Sequence, residues 1–374
     1  MNSEIDDDFQ PVRHSGGTIT FKFNDQDGQR GYSVGMSNSS AHPCALFAIY
    51  ALLPQGLPVC VVPFGGLGSP LPTPPVPNCI LVIIGSDQEG YFGRACPRCH
   101  GYFRTTSAAQ QTRCPYCRLT TGTHSFLSES QRKYVAAYTE LFLDGYESGR
   151  DVSIDIDELG QREGVNAPPS SFAEEKQQTR FRCKHCQTST DIIGRYGYCP
   201  SCGRRNSFDV LSLTLDALDE RVENPRYSQQ ERDLRDAEWR AIVRDCVSGF
   251  EGFGRDLLQE LARIPASPAR RKVIEGLTFH NPLTAARLIS ECFAIDLLKG
   301  LGQEDQEFLR KRFMRRHVYE HCSGVADQEY LDNSRDTSVR VGQLIREKSN
   351  NVTTLTRLVK TFAANFDEGF HSIK

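Results

Sequence analysis

Eight of the fourteen cysteines in this 374-residue chain fall into four Cys-x-x-Cys pairs, and that spacing limits the fold more than any other feature. The pairs are Cys96/Cys99, Cys114/Cys117, Cys183/Cys186 and Cys199/Cys202. One pair delivers two thiolates from a single tight turn, and two pairs complete the four-sulfur tetrahedron that a structural zinc ion takes. Fourteen residues separate the first two pairs and twelve the last two, gaps that suit the short hairpin of a zinc ribbon; Gly203 fits a tight turn after the last cysteine. The spacing predicts zinc ribbons over 91–124 and 180–206, with two structural Zn2+ ions per chain. Disulfides are disfavoured in a reducing compartment, and a redox dithiol needs a thioredoxin-like βαβ setting that the flanking sequence lacks. His100 and His185 are expected in solvent, because each quartet is complete without them. The other cysteines (Cys44, Cys60, Cys79, Cys246, Cys292, Cys322) are scattered, several in apolar runs, and are expected to be mostly buried free thiols.

The rest of the composition is that of a globular chain of two or three domains, with 39% hydrophobic and 24% charged residues. A net charge of −3 excludes a polycation built to coat nucleic acid, so any such role must come from local charge. The longest apolar stretch, Cys44 to Val62, is broken by Pro54, Gly56 and Pro58, short of the ~20 residues a spanning helix needs, and no membrane association is expected. The acidic start (Glu4, Asp6, Asp7, Asp8) with no apolar segment behind it argues against a secretory signal and for a cytoplasmic protein.

Residues 1–90 read as a small α+β domain of unassigned role. Ile19, Phe21 and Phe23 alternate with polar neighbours as in a half-buried strand, Ile80–Ile84 suits a buried strand, and Gly65–Pro77, with five prolines and three glycines, is a loop. Residues 125–179 read as a helix over 126–147 followed by an acidic linker: 140–175 holds ten acidic residues against two basic. Residues 207–374 read as an antiparallel helical bundle. Trp239, Val243, Cys246, Phe250, Phe253, Leu257, Leu261 and Ile264 form one apolar stripe ended by Pro265, weakened locally by Gly249, Gly252 and Gly254. Leu288, Cys292 and Ile295 form a second stripe, and Val352, Leu355, Val359, Phe362 and Phe366 a third. The fold class is therefore multidomain: an α+β N-terminal region, two zinc ribbons and an all-α C-terminal bundle.

Both ribbon segments are locally basic, with five arginines and no acid in 91–124, and six basic residues against Asp191 in 180–206. Tyr91, Phe92, Tyr102, Phe103, Phe181, Tyr196 and Tyr198 are interleaved with them and could stack on nucleic-acid bases. Equally, the arginines could neutralise a tetrathiolate centre of net charge −2 while the aromatics fill a small core.

The other chemical feature is Arg310-Lys-Arg-Phe-Met-Arg-Arg-His-Val-Tyr-Glu-His321. Five of the seven residues from Arg310 to Arg316 are basic. His317 and His321 are four apart and share a helix face, as do Arg312 and Arg316. An imidazole can move a proton near neutrality and an arginine can hold a phosphate, a combination suited to phosphodiester cleavage. Arg316-His317-Val-Tyr-Glu-His321, followed by Gly324-Val-Ala-Asp327-Gln-Glu-Tyr330, resembles the HEPN superfamily of all-helical domains. The hallmark of that superfamily is Arg, a polar residue, three variable positions and His, and many prokaryotic members carry a Gly-Val-x-Asp-x-x-Tyr tail. The resemblance covers roughly residues 225–374 and implies a metal-independent endoribonuclease whose composite site forms in a homodimer. It assigns Arg316 to stabilising the phosphorane, His321 to the 2′-hydroxyl or the leaving group, and His317 to orienting them. It also implies a toxin or phage-defence effector, with RNA as substrate and an antitoxin or defence-system protein as partner. A second register, Arg312/His317/Tyr319, matches an Arg-x4-His-x-Tyr form found in toxins whose tyrosine is modified; the tail after His321 favours the first.

Two functions of different class follow. One is a ribonuclease whose ribbons position RNA or a partner. The other is a non-enzymatic zinc-ribbon adaptor, binding nucleic acid or protein, that dimerises through its bundle. A redox sensor using the Cys-x-x-Cys pairs is a third, which stoichiometric zinc would exclude.

Overall fold

The structure, a computed structural model, describes residues 9–11, 17–26, 29–37, 45–62, 73–87, 89–162, 172–174, 178–224, 232–264 and 267–373. They divide into two compact units, Met1–Asn206 and Ser207–Lys374. Cys44 and most of the Gly65–Pro77 loop lie outside the described residues.

The first unit is built from small antiparallel sheets. β1 (Phe9–Pro11) pairs with β12 (Phe172–Glu174). β2 (Thr18–Gln26) lies between β3 (Gln29–Ser37) and β11 (Val152–Asp155), while β4 (Leu46–Leu52) lies between β5 (Leu57–Val62) and β6 (Cys79–Gly85). The alternation at Ile19 and Phe21 buries both side chains fully, and Ile80–Ile84 forms the interior of β6. Helix α1 (Glu129–Ser148) covers this core with Tyr134, Val135, Tyr138 and Phe142. Phe142 meets Phe21 edge-on at 5.0 Å, and the Tyr134 hydroxyl donates to the Ile83 carbonyl at 3.0 Å. Ser128 starts α1 with a capping box completed by Gln131, and Gly149 ends it in the left-handed region.

This arrangement corrects the expected division at residue 90. Among the described residues, 1–90 supply strands and turns, and the helix that makes the region α+β comes from 129–148. The stretch read as an acidic linker also contributes β11 and a short helix α2 (Ile156–Gln161). Its apolar residues Val152, Ile154, Ile156 and Leu159 are few, and exposed acids between them mask a strand in which Ile154 is buried.

The two cysteine-rich segments share one sheet. The hairpin β7 (Phe92–Ala95)–β8 (Tyr102–Thr105) joins the hairpin β13 (Gln178–Arg182)–β14 (Ser189–Ile193) through β8 and β14, with Arg104 opposite Asp191. A further hairpin, β9 (Gln111–Arg113)–β10 (Thr120–Gly122), carries the second pair of cysteines, Cys114 and Cys117.

The second unit is helical: α3 (Ser207–Glu223), α4 (Arg232–Leu261), α5 (Pro268–Glu275), α6 (Pro282–Phe293), α7 (Gln303–His321), α8 (Gln328–Ser334) and α9 (Ser349–Ser372). Phe250 on α4 sits at its centre, 5.1 Å from Phe279, 5.6 Å from Phe313 on α7 and 5.1 Å from Phe362 on α9. The glycines of α4 do not break it. A Cβ on Gly254 would lie 2.4 Å from the ring of Phe279, so the missing side chain makes room for that ring. The α9 stripe is buried throughout, but the stripe expected at Leu288, Cys292 and Ile295 is displaced: α6 buries Ala285, Ala286 and Ile289 instead, and Ile295 follows the helix. No described helix is long and apolar enough to cross a membrane. Of the scattered cysteines described, Cys246 alone is buried, against the expectation for most of them; Cys60, Cys79, Cys292 and Cys322 are half-buried at strand and helix margins.

Arg104 ties the shared sheet together. Its guanidinium contacts Asp87 and Glu89 at 2.6 Å each and Asp191 at 2.9 Å, and it is stacked 5.0 Å above the ring of Tyr91. Removing one partner of a buried ion pair leaves uncompensated charge and costs about 3–5 kcal/mol. Arg104→Met should therefore destabilise the first unit by about that amount. Hydrogen exchange should report it as lost protection in Tyr102–Thr105 and Ser189–Ile193, and unchanged protection there would contradict the role given to Arg104.

Candidate functional site

The eight cysteines form two closed clusters, each with all four sulfurs within 4.8 Å of one another. Cys96 Sγ lies 3.6 Å from Cys117 Sγ and Cys99 Sγ 3.6 Å from Cys114 Sγ; the second cluster has Cys183–Cys202 and Cys186–Cys199 at 3.5 Å. An ion bound about 2.3 Å from each of four sulfurs would sit in a tetrahedron with edges of about 3.8 Å, so these groups can each hold a metal ion with little adjustment.

All four pairs are built alike. The residue after each second cysteine, His100, Arg118, Gln187 and Gly203, is in the left-handed region. In each, that residue's N–H donates to the carbonyl of the first cysteine, at 2.9, 3.2, 2.8 and 2.9 Å in chain order. The first cysteine's own N–H donates to a carbonyl beyond the turn: Gly101, Leu119, Thr188 and Arg204. The backbone thus folds each Cys-x-x-Cys into the same hooked turn that aims both sulfurs inward. His100 and His185 are exposed, as expected.

Of the interleaved aromatics, Phe92, Phe103 and Tyr198 are buried and so closed to stacking on a base. Phe103 packs with Phe126 and Ile192 against Cys96 and Cys114, and Tyr198 carries the guanidiniums of Arg118 and Arg205 on its faces at 5.1 and 4.6 Å. The small-core reading accounts for these three rings.

In the second unit the basic run of α7 divides by helix face. Arg312 and Arg315 point inward. Arg315 bonds Asp336 Oδ2 at 2.6 Å and Glu347 Oε1 at 2.9 Å, and Arg312 lies 3.5 Å from the same Glu347 oxygen. The Tyr330 hydroxyl donates to Asp336 and the Tyr319 hydroxyl to Glu347, each at 2.6 Å. Burial acts to raise the Asp336 pKa, but bonds from Ser338, Tyr330 and Arg315 outweigh it and hold the carboxyl well below the usual range. Burial, and then Glu347, push the Tyr319 hydroxyl well above its ordinary value. Arg310 is held by Glu307 and by the Ser334 carbonyl.

Arg316 and the histidines lie on the other faces. Arg316 reaches Glu251 of α4 at 3.0 Å and Glu320 Oε2 at 3.1 Å, and the same Glu320 oxygen is 3.8 Å from His321 Nε2. Glu320 therefore joins Arg316 to His321. The His317 and His321 rings lie 4.6 Å apart, tilted at 50° to each other, and both histidines are exposed. The structure thus brings Arg316 and His321 to Glu320, with His317 beside His321, whereas Arg312 and Tyr319 of the second register are turned into the buried Glu347 cluster.

The residues after His321 have physical roles of their own. Gly324 is left-handed where the chain leaves α7. Asp327 caps α8 by accepting from the Tyr330 N–H at 2.7 Å, and Tyr330 enters the Asp336 cluster.

His280 completes the group and has no marker in the sequence. It precedes Asn281, whose side chain caps α6, and its ring meets His317 edge-on at 6.3 Å. Two cavities flank this point: one of about 970 Å³ whose lining includes Arg316 and His280, and one of about 370 Å³ whose lining includes His280, His317, Asp327 and Tyr330.

Compared with known proteins, the chain matches no family model, no curated sequence and no solved structure.

Elemental analysis of gently purified protein should find two metal ions per chain, and fewer would contradict the two tetracysteine sites. Cys96→Ser or Cys183→Ser should unfold its own turn, because structural metal binding supplies folding energy.

Proposed function

We propose that the helical unit is a metal-independent endoribonuclease of HEPN type, and that the two tetracysteine groups of the first unit hold structural zinc. The observation that carries the first part is the Glu320 oxygen shared by Arg316 and His321. That oxygen lies 3.1 Å from the Arg316 guanidinium and 3.8 Å from His321 Nε2, with the His317 ring tilted beside that of His321 at 4.6 Å. In this reading the 2′-hydroxyl loses its proton to a histidine and its oxygen attacks the neighbouring phosphorus. The bond from phosphorus to the 5′-oxygen then breaks, and the leaving oxygen takes a proton. Arg316 carries the extra negative charge on the pentacoordinate phosphate. His321 performs proton transfer, His317 orients the reacting groups, and Glu320 positions both Arg316 and His321. Burial of Arg312 and Tyr319 supports this register over the second.

Zinc is the reading for the clusters because four thiolates in a closed tetrahedron are its usual structural set. Such a site has no open position and cannot activate water, so it supports the fold and takes no step in cleavage. The adaptor reading keeps the same clusters and assigns the Arg–His face no chemistry.

His321→Ala should abolish RNA cleavage with fold unchanged by circular dichroism, since losing positioned acid–base help costs about 10²–10⁴-fold in rate. His317→Ala should be milder and Tyr319→Phe should have little effect on the chemical step. Single-turnover rates in EDTA over short incubations decide this. Three variants as active as wild type would leave the adaptor reading standing, and a dead His317→Ala beside an active His321→Ala would restore the second register.

The reading also calls for a homodimer, because one Arg–His motif supplies half of a composite site. Light scattering should show a dimer at micromolar concentration; a strict monomer with cleavage intact would refute the composite site.

A further inference from the structure

The larger cavity beside Arg316 has a composition that cleavage chemistry alone does not require. One wall is a face of α4, where Glu251, Arg255 and Gln259 recur at steps of four, continued by Arg263 in the turn just past the helix end; α5 adds Arg271 and Glu275. Four arginines therefore meet two carboxylates. Glu251 is already occupied by Arg316, and Arg263 by Glu260 at 2.6 Å. Arg255 and Arg271 have no ion-pair partner among the described residues, and both are exposed. Two unpaired guanidiniums lining one concavity offer charge-assisted hydrogen bonds to an anion that enters it. At about 970 Å³ the cavity is at the upper end of the range for pockets that enclose a small ligand, about 300–1,000 Å³.

We propose that this cavity is the subsite for the phosphate backbone of single-stranded RNA next to the scissile bond, with Arg255 and Arg271 as its phosphate contacts. This rests on the ribonuclease reading for the nature of the strand. Arg316 belongs to both cavity and candidate site, so a strand lying across Arg255 and Arg271 is delivered to the Arg316–His321 pair. Glu275, an exposed carboxylate without a described partner, opposes the strand and limits its affinity.

The test uses the full chain and a short fluorescein-labelled 2′-O-methyl RNA, which keeps the phosphates and lacks the attacking hydroxyl. In fluorescence anisotropy, Arg255→Gln with Arg271→Gln should weaken binding about tenfold or more. The slope of log affinity against log salt should fall by about 1.4, the value for two lost phosphate contacts on a single strand. Glu275→Gln should bind more tightly than wild type, a gain that misfolding cannot produce. Arg287→Gln, on α6 and paired with Glu291, should bind like wild type. Unchanged affinity and slope in the double variant, or equal weakening by Arg287→Gln, would overturn the subsite. If the double variant is misfolded by circular dichroism, Glu275→Gln decides, and affinity no higher than wild type overturns it. Cleavage of all-ribose RNA is scored separately: arginine-dependent binding with no cleavage by wild type would sink the ribonuclease reading and keep the subsite.

Discussion

The placement of Arg316, His317 and His321 depends on one buried interaction, the clamp of Arg315 on Asp336 and Glu347. Arg315 and Glu347 are almost fully withdrawn from water; Tyr330 and Ser338 hold the Asp336 oxygens, and Tyr319 and Arg312 share Glu347 Oε1 with Arg315, while Glu347 Oε2 is buried without a hydrogen-bond partner. A charged residue so placed fixes the rotation of α7 about its own axis, since any turn of the helix would strand a buried charge. With that face locked inward, Arg316 is directed to Glu251 and Glu320, and His317 and His321 to solvent. Gly324, Asp327 and Tyr330 belong to the same device: the first turns the chain off α7, the second restarts a helix, and the third returns to the clamp.

A run of five basic residues in seven therefore has several uses. Arg310, Arg312 and Arg315 are consumed by carboxylates and a carbonyl of the same unit. That consumption argues against an exposed basic stripe along α7. It moves the surplus positive charge to α4 and α5, where Arg255 and Arg271 stand without described partners beside Arg316.

Much of this was legible in the chain itself. Cys-x-x-Cys spacing located both clusters, because local backbone geometry sets the separation of two sulfurs in a pair; a period-2 pattern located β2, a continuous apolar run β6, and period-3.6 patterns α4 and α9. Four things were hidden. β11 is too short and too acidic to show its pattern. The joining of the two ribbons through β8 and β14 depends on pairing between residues 87 positions apart at Arg104 and Asp191. The inward turn of Arg312 rests on Glu347, which no local pattern links to it. His280 reaches His317 only through the packing of α6 against α7. In the last three cases the missing information is a long-range contact, and propensity and periodicity are local.

In the proposed ribonuclease a 2′-hydroxyl, not water, attacks the phosphate beside Arg316 and His321, and the ends of the RNA products distinguish the two. Attack by the 2′-oxygen leaves a 2′,3′-cyclic phosphate on one fragment and a 5′-hydroxyl on the other. Mass spectrometry of fragments from a defined RNA should find those ends, and a 2′-deoxy substitution at the cleaved position should abolish the cut. A 3′-hydroxyl with a 5′-phosphate, or undiminished cutting at the deoxy position, would contradict the account.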